Sequence, residues 1–124
     1  MSIDKNTTLY LSGPMTGYAD ENRQAFEDAE HRLRSLGYHV INPNGLAEPS
    51  ADCETDAQRW AAYLARDIHF LVTMKDTGIA VVLLAGWRNS KGACLEAAVA
   101  GKFGIPVYNY GQVLLEINHG KRPR

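Results

Sequence analysis

Apolar and polar positions along the chain form short apolar runs separated by longer amphipathic stretches. Four short runs, rich in β-branched and aromatic residues, predict strands over residues 7–12, 38–41, 79–84 and 105–108. The run at 79–84 is apolar at every position, which is typical of a strand covered on both faces. Glycine, proline and asparagine follow the first two runs and predict turns there.

The amphipathic stretches predict helices between these strands. In residues 20–36, apolar side chains recur at helical spacing, and Gly37 is placed to end that helix. A second helix is expected to open at Asp56 as N-cap and a third to end before Gly104, with a short closing helix near residues 114–117. The predicted buried face of the second helix comprises Trp60, Tyr63, Leu64, Ile68, Leu71 and Met74.

This alternation of strands and helices predicts an α/β fold. We expect a single-domain, Rossmann-like three-layer sandwich with a mainly parallel sheet of four to five strands. The domain is predicted to span residues 1–118, and residues 119–124 form a basic tail expected to be frayed. In such a sheet, ligands bind beyond the carboxyl ends of the strands.

Three loops are predicted to meet at that edge of the sheet. They are the turn at residues 12–17, the turn at 42–45 and the stretch at 86–96. All three carry glycine, and together they carry hydroxyl and amide groups that suit a phosphate or a sugar. The first turn matches neither a Walker loop nor a dinucleotide-binding fingerprint. We therefore predict a pocket for a small polar molecule.

Composition narrows the class of partner. The 124 residues are 45% hydrophobic and 22% charged, with a net charge of −1, so no global charge favours nucleic acid or an anionic membrane. No apolar run approaches the roughly 20 residues that span a bilayer, and the first residues are polar, so a cytoplasmic protein is expected. The two cysteines and four histidines lack metal-site spacing, and neither a metal nor a cofactor is predicted.

Two carboxylates are candidates for chemistry. Glu96 lies near the start of the helix that follows the buried strand, although the same sequence is compatible with a plain βα loop and a solvent-facing Glu. Asp67 interrupts an apolar stripe, where a carboxylate is costly unless it is paired or lines a cavity. The alternative for Asp67 is a core-edge residue bonded to Arg66 or to a backbone amide.

Three segments, in this order, carry a resemblance to a known family. They are Tyr10-Leu11-Ser12-Gly13-Pro14-Met15, the helical Asp67, and Ser90 to Glu96 followed by Gly104-Ile105-Pro106-Val107. With them the chain resembles the nucleoside 2-deoxyribosyltransferase-like superfamily over nearly its whole length. The form Gly-Trp-Arg-Asn-Ser-x-Gly is most similar to a small branch common in phage and bacterial genomes.

The resemblance implies a reaction at an N-glycosidic bond. Glu96 would attack the anomeric carbon of a nucleoside or nucleotide, as in retaining glycosidases. Tyr10 would orient Glu96 or contact the sugar, and Asp67 would act as general acid toward the departing base. A homo-oligomer, dimer or tetramer, is also implied.

The residue type at position 90 helps to identify the expected substrate, and here it is Ser90. Deoxyribosyltransferases usually carry an Asp six residues before the Glu, whereas a hydroxyl there resembles the nucleoside 5′-monophosphate N-glycosidase branch. A serine can donate to a phosphate that an Asp would repel. The amide of Gly92 and the turn residues Ser12, Gly13, Pro14 and Met15 would share that anion. The alternative role for Ser90 is a helix N-cap, and the two roles are compatible.

The sequence therefore predicts cleavage or transfer of the N-glycosidic bond of a (deoxy)nucleoside 5′-monophosphate. A nucleotide-binding or sensing module without turnover is the alternative on the same fold. A scaffold that interacts with partners through Trp87 and the basic tail is a third hypothesis.

Overall fold

The computed structural model describes residues 3–49 and 52–120, with side chains up to residue 116. Four strands alternate with four α-helices, and short 3-10 turns precede α1 and α3 and follow β2. In chain order the elements are β1 (Thr8–Ser12), α1 (Arg23–Ser35), β2 (His39–Ile41), α2 (Asp56–Thr73), β3 (Ile79–Leu83), α3 (Lys91–Lys102), β4 (Val107–Asn109) and α4 (Tyr110–Gly120).

The four strands form one parallel sheet in the order β2-β1-β3-β4. Thr8 pairs with His39 on one side and with Ile79 on the other, so β1 lies inside the sheet. Every residue of β3 is buried, as its continuous apolar run predicts. The predicted α/β fold with a mainly parallel sheet of four to five strands is confirmed.

Helices cover both faces of the sheet, and β1 faces both layers. Its side chains alternate, because successive residues of a strand point to opposite faces. Leu9 and Leu11 belong to a core shared with α1 and α4, which includes Phe26 and Val113. Tyr10 belongs to the opposite core, which includes Leu71 of α2 and Ala100 of α3. Polar groups at alternate positions of β1 therefore face α2 and α3.

One predicted helix start is wrong by three residues, whereas the second helix begins at Asp56 as predicted and only its predicted N-cap is wrong. The first helix begins at Arg23 rather than at residue 20, because Asp20, Glu21 and Asn22 have left-handed backbone angles, with φ of 47°, 54° and 61°. The second helix is capped by Thr55 rather than by Asp56. The Thr55 side chain accepts from the amide of Gln58, whose side chain bonds back in a capping box.

The predicted buried face of α2 is also wrong in part. Of its six residues only Leu71 is buried, and Trp60 is 42% exposed. The buried line of α2 consists of Asp67 and Leu71, four residues apart. Ile68 lies one residue, or about 100°, from Asp67 around the helix, whereas Leu64 lies within about 20° of Leu71 but two turns earlier. Apolar spacing therefore marks a stripe that is wider and longer than the part that packs against the sheet.

The last helix runs through positions 119 and 120, which the sequence assigned to a frayed tail. Residues 121–124, the rest of the predicted basic tail, lie outside the described residues. No helix in the described part of the chain is long and apolar enough to cross a membrane.

Candidate active site

The site begins with two polar side chains at the carboxyl end of β1. Tyr10 is 0% exposed and Ser12 is 2% exposed. A close approach of the chain behind them fixes this end of the strand. The Ser12 carbonyl accepts the amide of Leu84 at 2.8 Å, and a Cβ on Gly13 would lie 2.9 Å from Cβ of Leu84. Gly13 is therefore the residue that lets the ends of β1 and β3 meet.

Glu96 reaches this pair from α3. Its side chain is buried, and the Ser12 hydroxyl donates a hydrogen bond of 2.8 Å to Glu96 Oε1. A solvent-facing Glu on a plain βα loop, the alternative to a site residue, does not describe this geometry. The structure places Glu96 against the sheet, beside two hydroxyl groups from β1.

Asp67 reaches the same point from α2. It is 7% exposed, its Oδ1 accepts a hydrogen bond from Arg66 Nε at 2.9 Å, and Arg66 Nη2 lies 2.8 Å from the same oxygen in an ion pair. Its carboxyl group also lies close enough to Glu96 and to the Tyr10 hydroxyl for both to affect its pKa. The ion pair proposed as the structural role of Asp67 is present, and so is the convergence expected of a site residue. Tyr10, Asp67 and Glu96, from three separate segments, lie together.

The contact between the two carboxyl groups alters their ionisation. Burial, followed by the charge of Asp67, raises the pKa of Glu96 to about 8, against the opposing hydrogen bond from Ser12. Burial also raises the pKa of Asp67, but there Arg66 opposes the change. Two carboxylates in contact do not both ionise easily. The pair therefore holds one proton near neutral pH, mainly on Glu96.

The Tyr10 hydroxyl remains without a regular hydrogen bond. Its Oη is buried and has no hydrogen-bond partner of good geometry among the described residues. Burial, then the charges of Glu96 and Asp67, raises the pKa of Tyr10 well above its ordinary value, so the group stays neutral. A buried hydroxyl without a partner is uncommon. It leaves a donor available beside the two carboxyl groups.

Two of the predicted phosphate-binding residues, Ser90 and Gly92, lie at the N-terminal end of α3. The Ser90 hydroxyl accepts the amide of Ala93 at 3.1 Å, so the N-cap role considered for Ser90 is present. Gly92 is in the first helical turn, where backbone amides lack helical partners. Glu96 is six positions after Ser90, about 9 Å along the helix axis.

The first turn adjoins the loop that precedes α3. Pro14 is buried, and its carbonyl accepts from Asn22 Nδ2 at 2.9 Å. A Cβ on Gly86, which has φ of +84°, would lie 3.3 Å from the Pro14 ring and 3.0 Å from the Tyr18 hydroxyl. Met15 is half-buried against the core shared with α1. Of the predicted turn, Ser12 is the residue that contacts a site carboxylate.

Comparison with models of protein families identifies the family of the chain. The model of a family described as a domain of unknown function, DUF4406, matches residues 7–109. The chain belongs to the DUF4406 family. The matched DUF4406 region runs from β1 to β4 and includes Tyr10, Asp67 and Glu96. No curated protein and no solved structure matches the chain.

Within this DUF4406 domain, sequence reasoning gave Arg66 no role in the site beyond pairing with Asp67. The structure shows that Arg66 also binds two backbone carbonyls of the segment that follows β2. Its position next to Asp67 was the available signal, but a sequence does not show which way an arginine turns. In the described part, no group of three or more His, Cys, Asp or Glu residues is arranged to hold a metal ion.

Proposed function

We propose that the chain cleaves or transfers the N-glycosidic bond of a (deoxy)nucleoside 5′-monophosphate, with Glu96 as nucleophile and Asp67 as general acid. The observation that carries the proposal is that these two buried carboxyl groups lie close enough to affect each other's ionisation. A nucleophile and an acid are the two groups that this bond cleavage needs. The resemblance to the nucleoside 2-deoxyribosyltransferase-like superfamily points to the same reaction.

The single proton of the pair accounts for both roles. At rest it lies mainly on Glu96, which is inactive as a nucleophile in that form. With substrate bound, the proton passes from Glu96 to Asp67. The Glu96 carboxylate then forms a bond to the anomeric carbon as the bond to the base breaks. The bond's electron pair leaves with the base nitrogen, and Asp67 supplies its proton.

The second half of the reaction returns the two carboxyl groups to their starting protonation. Water, or the nitrogen of a second base, attacks the anomeric carbon and gives a proton to the Asp67 carboxylate. The ester bond to Glu96 breaks, and its electron pair returns to the Glu96 carboxylate. The proton on Asp67 then redistributes within the pair, so no proton is gained or lost by the protein.

Ser12 and Tyr10 serve the ionised form of Glu96. The Ser12 hydroxyl already donates to Glu96 Oε1 and would stabilise the carboxylate once its proton leaves. The buried Tyr10 hydroxyl is available to donate to Glu96 or to a sugar oxygen. Both donors come from a rigid central strand, which suits a preorganised site.

The 5′-phosphate would lie at the N-terminal end of α3. The Gly92 amide and the Ser90 hydroxyl, which can donate while its oxygen caps the helix, would bind its oxygens. Arg88 and Lys91 are exposed nearby and add positive charge. The Gly13, Pro14 and Met15 turn would close the other side.

The test is base release from a panel of ribo- and deoxyribonucleoside 5′-monophosphates and the matching nucleosides. Wild type is compared with Glu96→Ala and with Asp28→Asn, which alters an exposed carboxylate on α1. We expect release from at least one monophosphate, slower release from its nucleoside, and loss of release only in Glu96→Ala. Release that survives Glu96→Ala would remove the proposed nucleophile. Tight nucleotide binding without release would favour a sensing module instead.

The homo-oligomer implied by the resemblance stays a prediction.

A further inference from the structure

Arg66 is bonded to Asp67 on one side and to the segment that follows β2 on the other. On one side its Nε donates to Asp67 Oδ1 at 2.9 Å, and its Nη2 lies 2.8 Å from the same oxygen as an ion pair. On the other, Nη2 donates to the carbonyl of Pro43 at 3.1 Å and Nη1 to the carbonyl of Ala47 at 3.3 Å. The Arg66 side chain is 16% exposed; its bonds to Asp67 and Pro43 are partly buried, and its bond to Ala47 is exposed. One arginine thus joins α2 to the segment that follows β2.

A neighbouring side chain adds to this connection. The Arg66 guanidinium lies over the ring of Tyr63, 4.9 Å from its centre. The Tyr63 hydroxyl bonds to the carboxylate of Glu48, in the same segment as the two carbonyls. Arg66 and Tyr63 therefore hold residues 43–48 against the helix that carries Asp67.

We infer that Arg66 is a positioning residue that fixes the Asp67 carboxyl as the ionised member of the carboxyl pair and is itself held in place by residues 43–48. For its catalytic consequence this inference rests on the proposed function. Its structural part, the effect of Arg66 on the ionisation of two named carboxyl groups, holds whether or not the protein turns over a nucleotide.

The groups that face Asp67 explain why Arg66 decides its charge. Tyr10 from β1 and Glu96 from α3 contact the carboxyl, and neither is a cation. Among the described residues, Arg66 is the cation that acts on Asp67: its Nε donates to Oδ1, and its Nη2 lies 2.8 Å from the same oxygen. A buried carboxylate that loses such a partner tends to take up a proton. Without Arg66 the proton would move toward Asp67, so Arg66 holds the resting form of the pair, in which Glu96 carries the proton until substrate binds.

The role of the planar guanidinium of Arg66 can be distinguished from the role of its positive charge alone. A lysine would keep the positive charge, but its single nitrogen cannot occupy all the positions of the planar guanidinium. Arg66→Lys is therefore expected to keep Asp67 partly ionised while loosening residues 43–48. Arg66→Gln removes the charge. Arg59→Gln is the matched control, because Arg59 pairs with Asp56 on the same helix at an exposed site.

The experiment is a titration of the side-chain carboxyl carbons of Asp67 and Glu96 by NMR, without ligand, in wild type and the three variants. We expect Arg66→Gln to raise the titration midpoint of Asp67 by about one pH unit or more. Arg66→Lys should give a smaller rise, and Arg59→Gln none. An Asp67 midpoint in Arg66→Gln that stays with the Arg59→Gln control overturns the inference. If Arg66→Gln does not fold, Arg66→Lys decides: an unchanged midpoint overturns the inference.

The titration separates this inference from the proposed function. A protein that releases no base would still show the raised Asp67 midpoint if Arg66 acts as inferred. If the protein releases base but the Asp67 midpoint does not move in Arg66→Gln, the proposed function stands and the inference about Arg66 is wrong. Where both hold, the pH dependence of base release should move in Arg66→Gln, whereas a merely structural role would lower stability and leave the profile in place.

Discussion

The hydroxyl of Ser12, at the end of β1, donates a 2.8 Å hydrogen bond to Oε1 of Glu96, which lies 84 residues further along the chain. The bond joins the central strand to α3 inside the protein, where each residue is nearly inaccessible to water. A buried carboxyl group needs such a partner. The partner comes from the same face of β1 as Tyr10, so one strand supplies both hydroxyls.

Burial of Glu96 predicts a stability that depends on pH. The folded-state pKa is raised from 4.5 to about 8, so folding favours the protonated form. The contribution is intact below about pH 4.5, where both states are protonated, and is lost as the pH rises to about 8. When the folded and unfolded pKa values differ by one, the free energy of unfolding changes by roughly 1.4 kcal/mol across the interval between them. Wild type should lose stability over this range through Glu96.

Glu96→Gln tests that dependence. Glutamine resembles protonated Glu96, since it can accept from Ser12 and donate to Asp67, and it never ionises. We expect equal melting temperatures for the variant and wild type near pH 4.5, and a variant several degrees more stable near pH 8. Thermal unfolding across this range measures the difference. A difference that stays constant with pH would mean that Glu96 is not the titrating group.

Ser90 allows its two roles to be separated by substitution. Aspartate is a good N-cap, so Ser90→Asp should keep the helix start and the melting temperature. Its charge would repel a phosphate, so affinity for a nucleoside 5′-monophosphate should fall at least about tenfold, with little change for the nucleoside. Ser90→Ala should instead lower stability by about 1 kcal/mol through loss of the cap. Calorimetric binding and thermal unfolding measure the two effects. Unchanged monophosphate affinity in Ser90→Asp would place the phosphate elsewhere.

The sequence predicts most of the fold and part of the site. The apolar run at 79–84 and the helical spacing in α1 identify their elements because strand and helix periods differ. A parallel sheet then brings the ends of its strands together, which is why Tyr10 and Glu96 are predicted to meet. The position where a helix starts depends on local backbone geometry. For example, α1 starts after three residues with left-handed backbone angles.

The remaining features of the fold and the site depend on packing, which the spacing of apolar residues does not show. Leu64, Asp67 and Leu71 belong to one stripe of α2, and only contact with the sheet decides which of them are buried. The location of the shared proton depends on how Arg66 turns and on the carbonyls of residues 43 and 47 that hold it. Both are tertiary relationships between distant segments.

The central claim is that Asp67 and Glu96 act as one unit in breaking an N-glycosidic bond. The most direct measurement is the rate of base release from the preferred nucleotide by wild type, Asp67→Asn, Glu96→Gln and the double variant, all verified as folded. Each single change should reduce the rate at least about 100-fold, and the double variant should be no slower than the slower single one. Losses that multiply in the double variant, or near-normal release by either single one, would contradict the account.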